Sequence, residues 1–320
     1  MPSRSVAAAF VCLMSIGSSA FAQEVTLRAA SGFTENTEFS KNFERFIEKV
    51  NKEGKGHIQI NYIGGPRAIP PFEIGNAVRS RVIDMANAPG AYYAGLMPEA
   101  EALKLFEKPM SEQRTNGSWE AFNQIHNQKL NSWFLARQLH NLKYHIYLNK
   151  KIEKPDFSGL KIRVTPVYRD LVQSLGGIPI TTPPGEVYTA LERGVVDGYG
   201  WPITGIFEFG LQKVTKYRVE PGIYSVDVNV LVNLDAWKSL TDAQRKILSD
   251  AAMWLEGLDS EKEADIKRET EQQNANGITA LQLNPDNAKR FLEEANESAW
   301  TSILKRVPES GARLRALAAQ

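Results

Sequence analysis

The chain has 320 residues, with 38 Lys and Arg against 37 Asp and Glu, a formal net charge of +1. So even a balance argues against nucleic acid or an acidic membrane surface as partner, and the length suggests about two domains of roughly 100–200 residues each. The single cysteine, Cys12, falls in the leading apolar segment, so the rest of the chain has no disulfide, thiol nucleophile or thiolate metal site.

Arg4, the apolar run Val6–Ile16 and Ala20-Phe21-Ala22 read as the basic start, short hydrophobic stretch and small-residue cleavage site of an export signal. The run is too short to span a bilayer, and no later stretch is apolar enough to do so. The expectation is a periplasmic protein, residues 1–22 removed, with no membrane insertion of the mature chain. Loss of Arg4 leaves basic and acidic residues in balance.

Glu24–Ala30 reads as a strand. Phe39, Phe43, Phe46, Ile47 and Val50 then recur at helical spacing. His57–Ile63 alternates as a strand, Gly64-Gly65-Pro66 turns the chain, a short helix runs over Pro71–Arg79, and Val82–Ala88 makes a third strand. The expectation for Ser118–Gln138 is a helix, and for Lys143–Asn149 a strand crossing toward a second lobe. Gly159–Val164, a helix to Leu175, Ile178–Ile180, Glu186–Leu191 and Gly194–Gly198 repeat the pattern strand, helix, strand, helix, strand. Asp227–Leu234 is a returning strand. A capping box at Thr241-Asp242-Ala243-Gln244 opens one long helix to Asn276, about 50 Å at about 1.5 Å per residue. A last helix spans Pro285 to about Lys305.

A stretch of seventeen residues in each half aligns without a gap. Glu73, Ala77, Val82, Asp84 and Pro89 match Glu186, Ala190, Val195, Asp197 and Pro202 at the same spacing, which suggests two lobes of one design. Arg163 stands where the first strand of the second half ends, and ligands of open α/β sheets gather at such carboxyl ends. A guanidinium there is a ready fork for a carboxylate. Catalytic signatures H-E-x-x-H and G-x-S-x-G are missing, and the four His are scattered, so neither an enzyme nor a metal centre is expected.

In order, Leu160-Lys161-Ile162-Arg163, Gly176-Gly177-Ile178-Pro179, Glu186-Val187-Tyr188-Thr189-Ala190-Leu191 and Val195-Val196-Asp197-Gly198 resemble the solute-binding proteins of tripartite ATP-independent periplasmic (TRAP) transporters. The resemblance implies an α/β, two-lobed periplasmic-binding-protein fold with crossing hinge strands and a long helix spanning both lobes. Lobe 1 would be 23–145, completed by roughly 227–260, and lobe 2 would be 146–226, completed by roughly 261–320. It implies a ligand in the interlobe cleft, no cofactor, a membrane permease as partner, and a bidentate bridge from Arg163 to a ligand carboxylate. Where the sialic-acid and dicarboxylate branches carry an asparagine, this chain has Trp201. Tyr199 and Gly200 stand where some metal-assisted oxo-acid binders have an acidic residue, so no metal is expected.

Further candidates for the cleft are Phe33 after the first strand, Tyr92 and Tyr93 in the loop matching that of Trp201, Thr165 beside Arg163, Tyr199, and His145, whose strand the resemblance puts near the cleft. One cationic fork and an aromatic wall favour a monocarboxylate, either an aromatic acid or its 2-hydroxy or 2-oxo relative. The alternatives are a dicarboxylate, for which Lys143 or His145 would supply the second charge, and service to an ATP-driven importer or a sensor kinase, which use the same architecture. Mass spectrometry of the exported protein should find Gln23 at its amino terminus; a functional mature chain that keeps Met1 would contradict the assignment.

Overall fold

The computed structural model describes residues 24–320, so the export signal and the cleavage site after Ala22 lie outside the described residues. β1 (Val25–Ser31), α1 (Glu38–Glu53), β2 (Ile58–Gly64), α2 (Ile74–Arg79) and β3 (Met85–Ala88) open the chain. α1 buries Phe39, Phe43, Phe46, Ile47 and Val50, the face its periodicity predicts. α3 (Met110–Gln113), α4 (Ser118–Lys129) and β4 (Ser132–Gln138) follow. The chain then crosses into β5 (Lys143–Leu148), β6 (Lys161–Val164), α5 (Pro166–Ser174), β7 (Ile178–Thr181), α6 (Val187–Glu192), β8 (Gly198–Pro202), β9 (Tyr217–Glu220) and β10 (Ile223–Ser225). It returns as β11 (Val228–Asn233). The tail is α7 (Leu234–Ser239), α8 (Asp242–Gly257), α9 (Lys262–Ala275), β12 (Thr279–Gln282), α10 (Pro285–Arg306) and α11 (Pro308–Ala318).

The strands form two sheets, one per lobe. The first has the order β2-β1-β3-β11-β4; the second has β12-β9-β5-β8-β6-β7, with β10 also on β5. In each, three parallel strands receive an antiparallel one from a crossing segment: β11 against β3, and β5 against β8. The repeat seen in the sequence is a repeat of hydrogen bonds. Asp84 donates its N–H to the Arg28 carbonyl at 2.8 Å and accepts the Arg28 N–H on Oδ2 at 2.9 Å. Asp197 does the same with Lys161, at 2.6 and 2.9 Å. The shared carboxylate thus ties each last parallel strand to the first. Val82 and Val195 both donate to the carbonyl of the shared alanine, at 2.9 Å, closing the end of the preceding helix.

That closure corrects two strand boundaries. The third strand begins at Met85, not Val82, and its counterpart at Gly198, not Gly194, because Val82–Ile83 and Val195–Val196 turn back onto Ala77 and Ala190. A third correction concerns Ser118–Gln138. The helix stops at Lys129, Asn131 takes a left-handed φ of 44°, and Ser132–Gln138 is strand. β4 is apolar on both faces, and such a run does not distinguish strand from helix by period. The long late helix is two. A 3-10 turn over Leu258–Glu261 separates α8, packed on the first lobe, from α9, packed on the second, at the position of Gly257.

That break sits at the hinge. Asp259 accepts the N–H of Leu139 at 2.6 Å and of His140 at 3.0 Å, pairs with the His140 ring, and offers its carbonyl to Asn141. Leu139–Asn141 is the β4–β5 crossing, so the turn between α8 and α9 holds one hinge strand. The other crossing, β10 to β11, contains Asp227, which is 2% exposed and accepts the Gly90 N–H at 2.6 Å and Asn229 Nδ2 at 3.0 Å. Burial pushes its carboxyl up to about 6, and the Arg137 guanidinium pulls it only part of the way back. Between the unfolded value near 4 and about 6, the folded protein therefore holds the proton more tightly than the unfolded chain. The prediction is that wild type gains stability over Asp227→Asn as the pH falls through this window, by up to ~3 kcal/mol. Thermal melts at pH 7 and 4.5 check it; a gap that does not change with pH would contradict it.

Candidate functional site

The carboxyl ends of β1 and β3 from one sheet and of β6 and β8 from the other converge on a cavity of about 40 Å³ between the lobes. Phe33, Phe39, Pro89, Tyr92 and Val228 line it from the first lobe. The second lobe supplies Tyr144, Arg163, Thr165, Tyr168, Trp201 and Pro202. Pro89 and Pro202, the last matched pair of the repeat, both line it. The lining is mostly apolar, and Arg163 is its one charged side chain among the described residues.

Arg163 sits on β6 between β7 and β8, opposite Ile180 and Tyr199. A strand with neighbours on both sides is screened from water, and Arg163 is 1% exposed. Its Nε and Nη2 donate to the Thr182 carbonyl at 3.0 and 2.5 Å, and Nη1 reaches the Gly200 carbonyl only at 3.4 Å. Its Cζ lies 5.8 Å from the centre of the Trp201 ring, within cation–π range. Its hydrogen-bond partners among the described residues are those two carbonyls and no carboxylate. Burial pushes the guanidinium down to about 10, with nearby tyrosines and Glu186 opposing, so it keeps its charge at neutral pH. This is a buried cation held in place by carbonyls but not neutralised among the described residues, a state that costs several kcal/mol of desolvation.

The structure brings together Arg163, Trp201, Phe33, Tyr92 and Thr165 from the residues proposed on sequence. Thr165 is half-buried and precedes α5, whose N-terminus adds positive potential. It does not bring Tyr93, Tyr199 and His145 to the cavity. Tyr92 and Tyr93 leave one turn in different directions: the Tyr93 hydroxyl meets His126 Nε2 and Asn229 Nδ2, both at 3.1 Å, in the first lobe's core. Tyr199 lies two residues before Trp201 on the same strand, stacked on Tyr147 at 5.0 Å with its hydroxyl on Thr215. His145 points to the opposite face of β5 from Tyr144, as alternation requires, and bonds the Val219 carbonyl at 3.1 Å. Burial pushes its pKa down, opposed by Glu220.

Tyr144, Tyr168 and Phe39 are lining residues that the sequence reading missed. Tyr168 lies flat on Gly200: a Cβ added there would come within 2.5 Å of its ring. That contact is a physical reason for glycine in the Tyr199-Gly200-Trp201 loop. Phe39 packs on Phe33 at 5.1 Å and on Trp201 at 6.1 Å, so an aromatic contact crosses the cleft.

A polar contact crosses it as well. Glu208, in the second lobe after β8, accepts the Glu38 N–H at the start of α1 at 2.9 Å and pairs with Lys41 at 3.1 Å. The second lobe thus supplies a carboxylate to the positive end of a first-lobe helix, a contact that exists only while the lobes are together.

Residues 29–306 match the family model described as bacterial extracellular solute-binding protein, family 7, DctP. The monocarboxylate 2-oxoacid-binding periplasmic protein of Nostoc sp. is 23% identical over 222 residues, 66% of this chain and 60% of that protein. The ectoine-binding periplasmic protein of Halomonas elongata is 27% identical over 150 residues, 44% of this chain and 42% of that one. The matched stretches thus span less than two thirds of these relatives' own lengths. Among solved structures, a TRAP periplasmic solute-binding protein of Desulfovibrio salexigens with bound orotic acid superposes with a TM-score of 0.81, at 21% identity over 92% of this chain and 97% of that one. An extracytoplasmic solute receptor of Bordetella pertussis binding pyroglutamic acid gives 0.80, at 17% identity over 92% and 99%. These two likenesses show the two-lobed fold.

Glu208→Gln should weaken ligand binding about three- to tenfold and speed release, because a helix-terminus charge and an exposed ion pair are each worth up to ~1 kcal/mol. Calorimetry and stopped-flow release check this; unchanged affinity and release would show that the contact does not hold the lobes together.

Proposed function

The chain belongs to family 7 of the bacterial extracellular solute-binding proteins, the DctP family, and from that premise we propose that it captures a short monocarboxylate between its lobes in the periplasm. It then hands the acid to the membrane permease of a TRAP transporter. The observation that carries this reading is Arg163: charged, buried, fixed by two carbonyls, and without an acidic partner inside a cavity walled by both lobes. A carboxylate accepts two parallel hydrogen bonds from a guanidinium, and lobe closure removes the water that would weaken the pair.

Size favours a short ligand. A cavity of about 40 Å³ has room for about three waters at ~10–15 Å³ each, whereas an engineered cavity that takes benzene measures about 150 Å³. An aromatic body, as expected from the sequence, therefore fits the closed cleft poorly, and a short aliphatic 2-hydroxy or 2-oxo acid fits better. A dicarboxylate lacks a second cation. Lys143 is tied to Glu107 at 2.5 Å and His145 faces away, so a second carboxylate would be desolvated without a partner.

Arg163→Ala should lower the affinity for any bound monocarboxylate at least a hundredfold, since removing one partner of a buried charged pair costs about 3–5 kcal/mol. Arg163→Lys should also bind weakly, because a point charge does not reproduce the fork. Calorimetry finding near-normal affinity in both variants would overturn the proposal.

A further inference from the structure

Two side chains that line the cavity beside Arg163, Trp201 through Nε1 and Tyr168 through its hydroxyl, have a buried polar atom with no hydrogen-bond partner among the described residues. Tyr168, on the first turn of α5, is 1% exposed, and its hydroxyl has no hydrogen-bond partner among the described residues. Buried hydroxyls are ordinarily bonded, and one left without a partner costs free energy. The ring is not free to turn the hydroxyl elsewhere. Gly200 supports one face within contact distance, and the Tyr144 ring meets it edge-on at 5.2 Å. Burial holds the phenol's pKa well above its usual value of about 10, so the hydroxyl stays protonated and able to donate. Arg163 and Tyr168 line the same cavity of about 40 Å³, so a ligand gripped by the arginine has little room for its second polar group to lie far from its carboxylate.

We propose that the Tyr168 hydroxyl is a specificity-determining donor to an oxygen carried beside the ligand's carboxylate. The cleft then takes short 2-hydroxy or 2-oxo monocarboxylates in preference to plain carboxylic acids of the same length. This rests on carboxylate capture by Arg163 and adds to it a residue and a rule of selection. A plain acid of equal length satisfies the arginine but leaves the phenol buried and unbonded. A site built to bond a ligand oxygen rejects the analogue that lacks it. An aliphatic wall in place of Tyr168 would make no such distinction.

The test is calorimetric titration of the full mature chain with lactate, pyruvate and propionate, in wild type, Tyr168→Phe and Arg163→Ala. Wild type should bind lactate or pyruvate at least tenfold more tightly than propionate. Tyr168→Phe, which keeps the ring on Gly200, should lose about tenfold toward the oxygenated acid and less than twofold toward propionate. A variant that keeps the wild-type ratio overturns the role of Tyr168. Should the variant fail to fold, the wild-type ratio decides alone, and equal affinity for propionate and both oxygenated acids overturns the proposal. Propionate binding that vanishes in Arg163→Ala, with no preference for an oxygen, overturns this inference while leaving carboxylate capture standing. Failure of all three acids to bind overturns both.

Discussion

A guanidinium buried without a carboxylate partner among the described residues is the constraint around which the rest of the fold is arranged. Arg163 can be so placed only because β6 lies between β7 and β8 and because carbonyls of the chain itself, from Thr182 and Gly200, fix the fork. Those bonds orient the group without cancelling its charge. The desolvation cost is borne by the surrounding fold, and in the function proposed above a ligand carboxylate is the partner that would relieve it. The apolar lining strengthens that pairing, because every wall that excludes water lowers the local dielectric.

The two lobes share a design but not a task. Asp84 and Asp197 tie equivalent strands in the same way, so Arg28 corresponds to Lys161 and, two residues on, Ala30 corresponds to Arg163. By the same alignment Ala88 corresponds to Trp201. The second lobe thus carries the charge and the indole, while the first contributes a cover of Phe33, Phe39 and Tyr92. In the proposed function one lobe would hold the carboxylate and the other enclose it. Closure is then stabilised by aromatic packing between Phe39 and Trp201 and by Glu208 on α1, while the hinge strands are held through Asp259 and Asp227.

Much of this was legible in the sequence, and the failures have physical causes. The repeat, the strand ends and the position of Arg163 follow from glycine and proline punctuation and from apolar periodicity, which report the local backbone directly. Pointing direction is harder. His145 and Tyr144 are neighbours on one strand, and a single step decides which faces the cleft. Tyr92 and Tyr93 are likewise adjacent, and only the turn over Gly90–Tyr92 separates cavity from core. Tyr168 was missed because a tyrosine in a first helical turn looks like core. The available signal was Gly200, a glycine in a strand that marks a close approach by another group. The break at Gly257 was visible as a glycine, but its place at the hinge depends on Asp259 meeting a loop more than a hundred residues away.

The central claim is that the cleft selects for charge because Arg163 has no other means of neutralisation. Lactate and lactamide have nearly the same shape, but the amide is neutral and presents an NH2 donor where lactate presents a second acceptor oxygen. Calorimetry of the wild-type protein with the two should find lactate bound and lactamide at least a hundredfold weaker. Comparable affinity for the neutral amide would contradict the account, since a cation left unpaired in a dry cavity would then cost nothing.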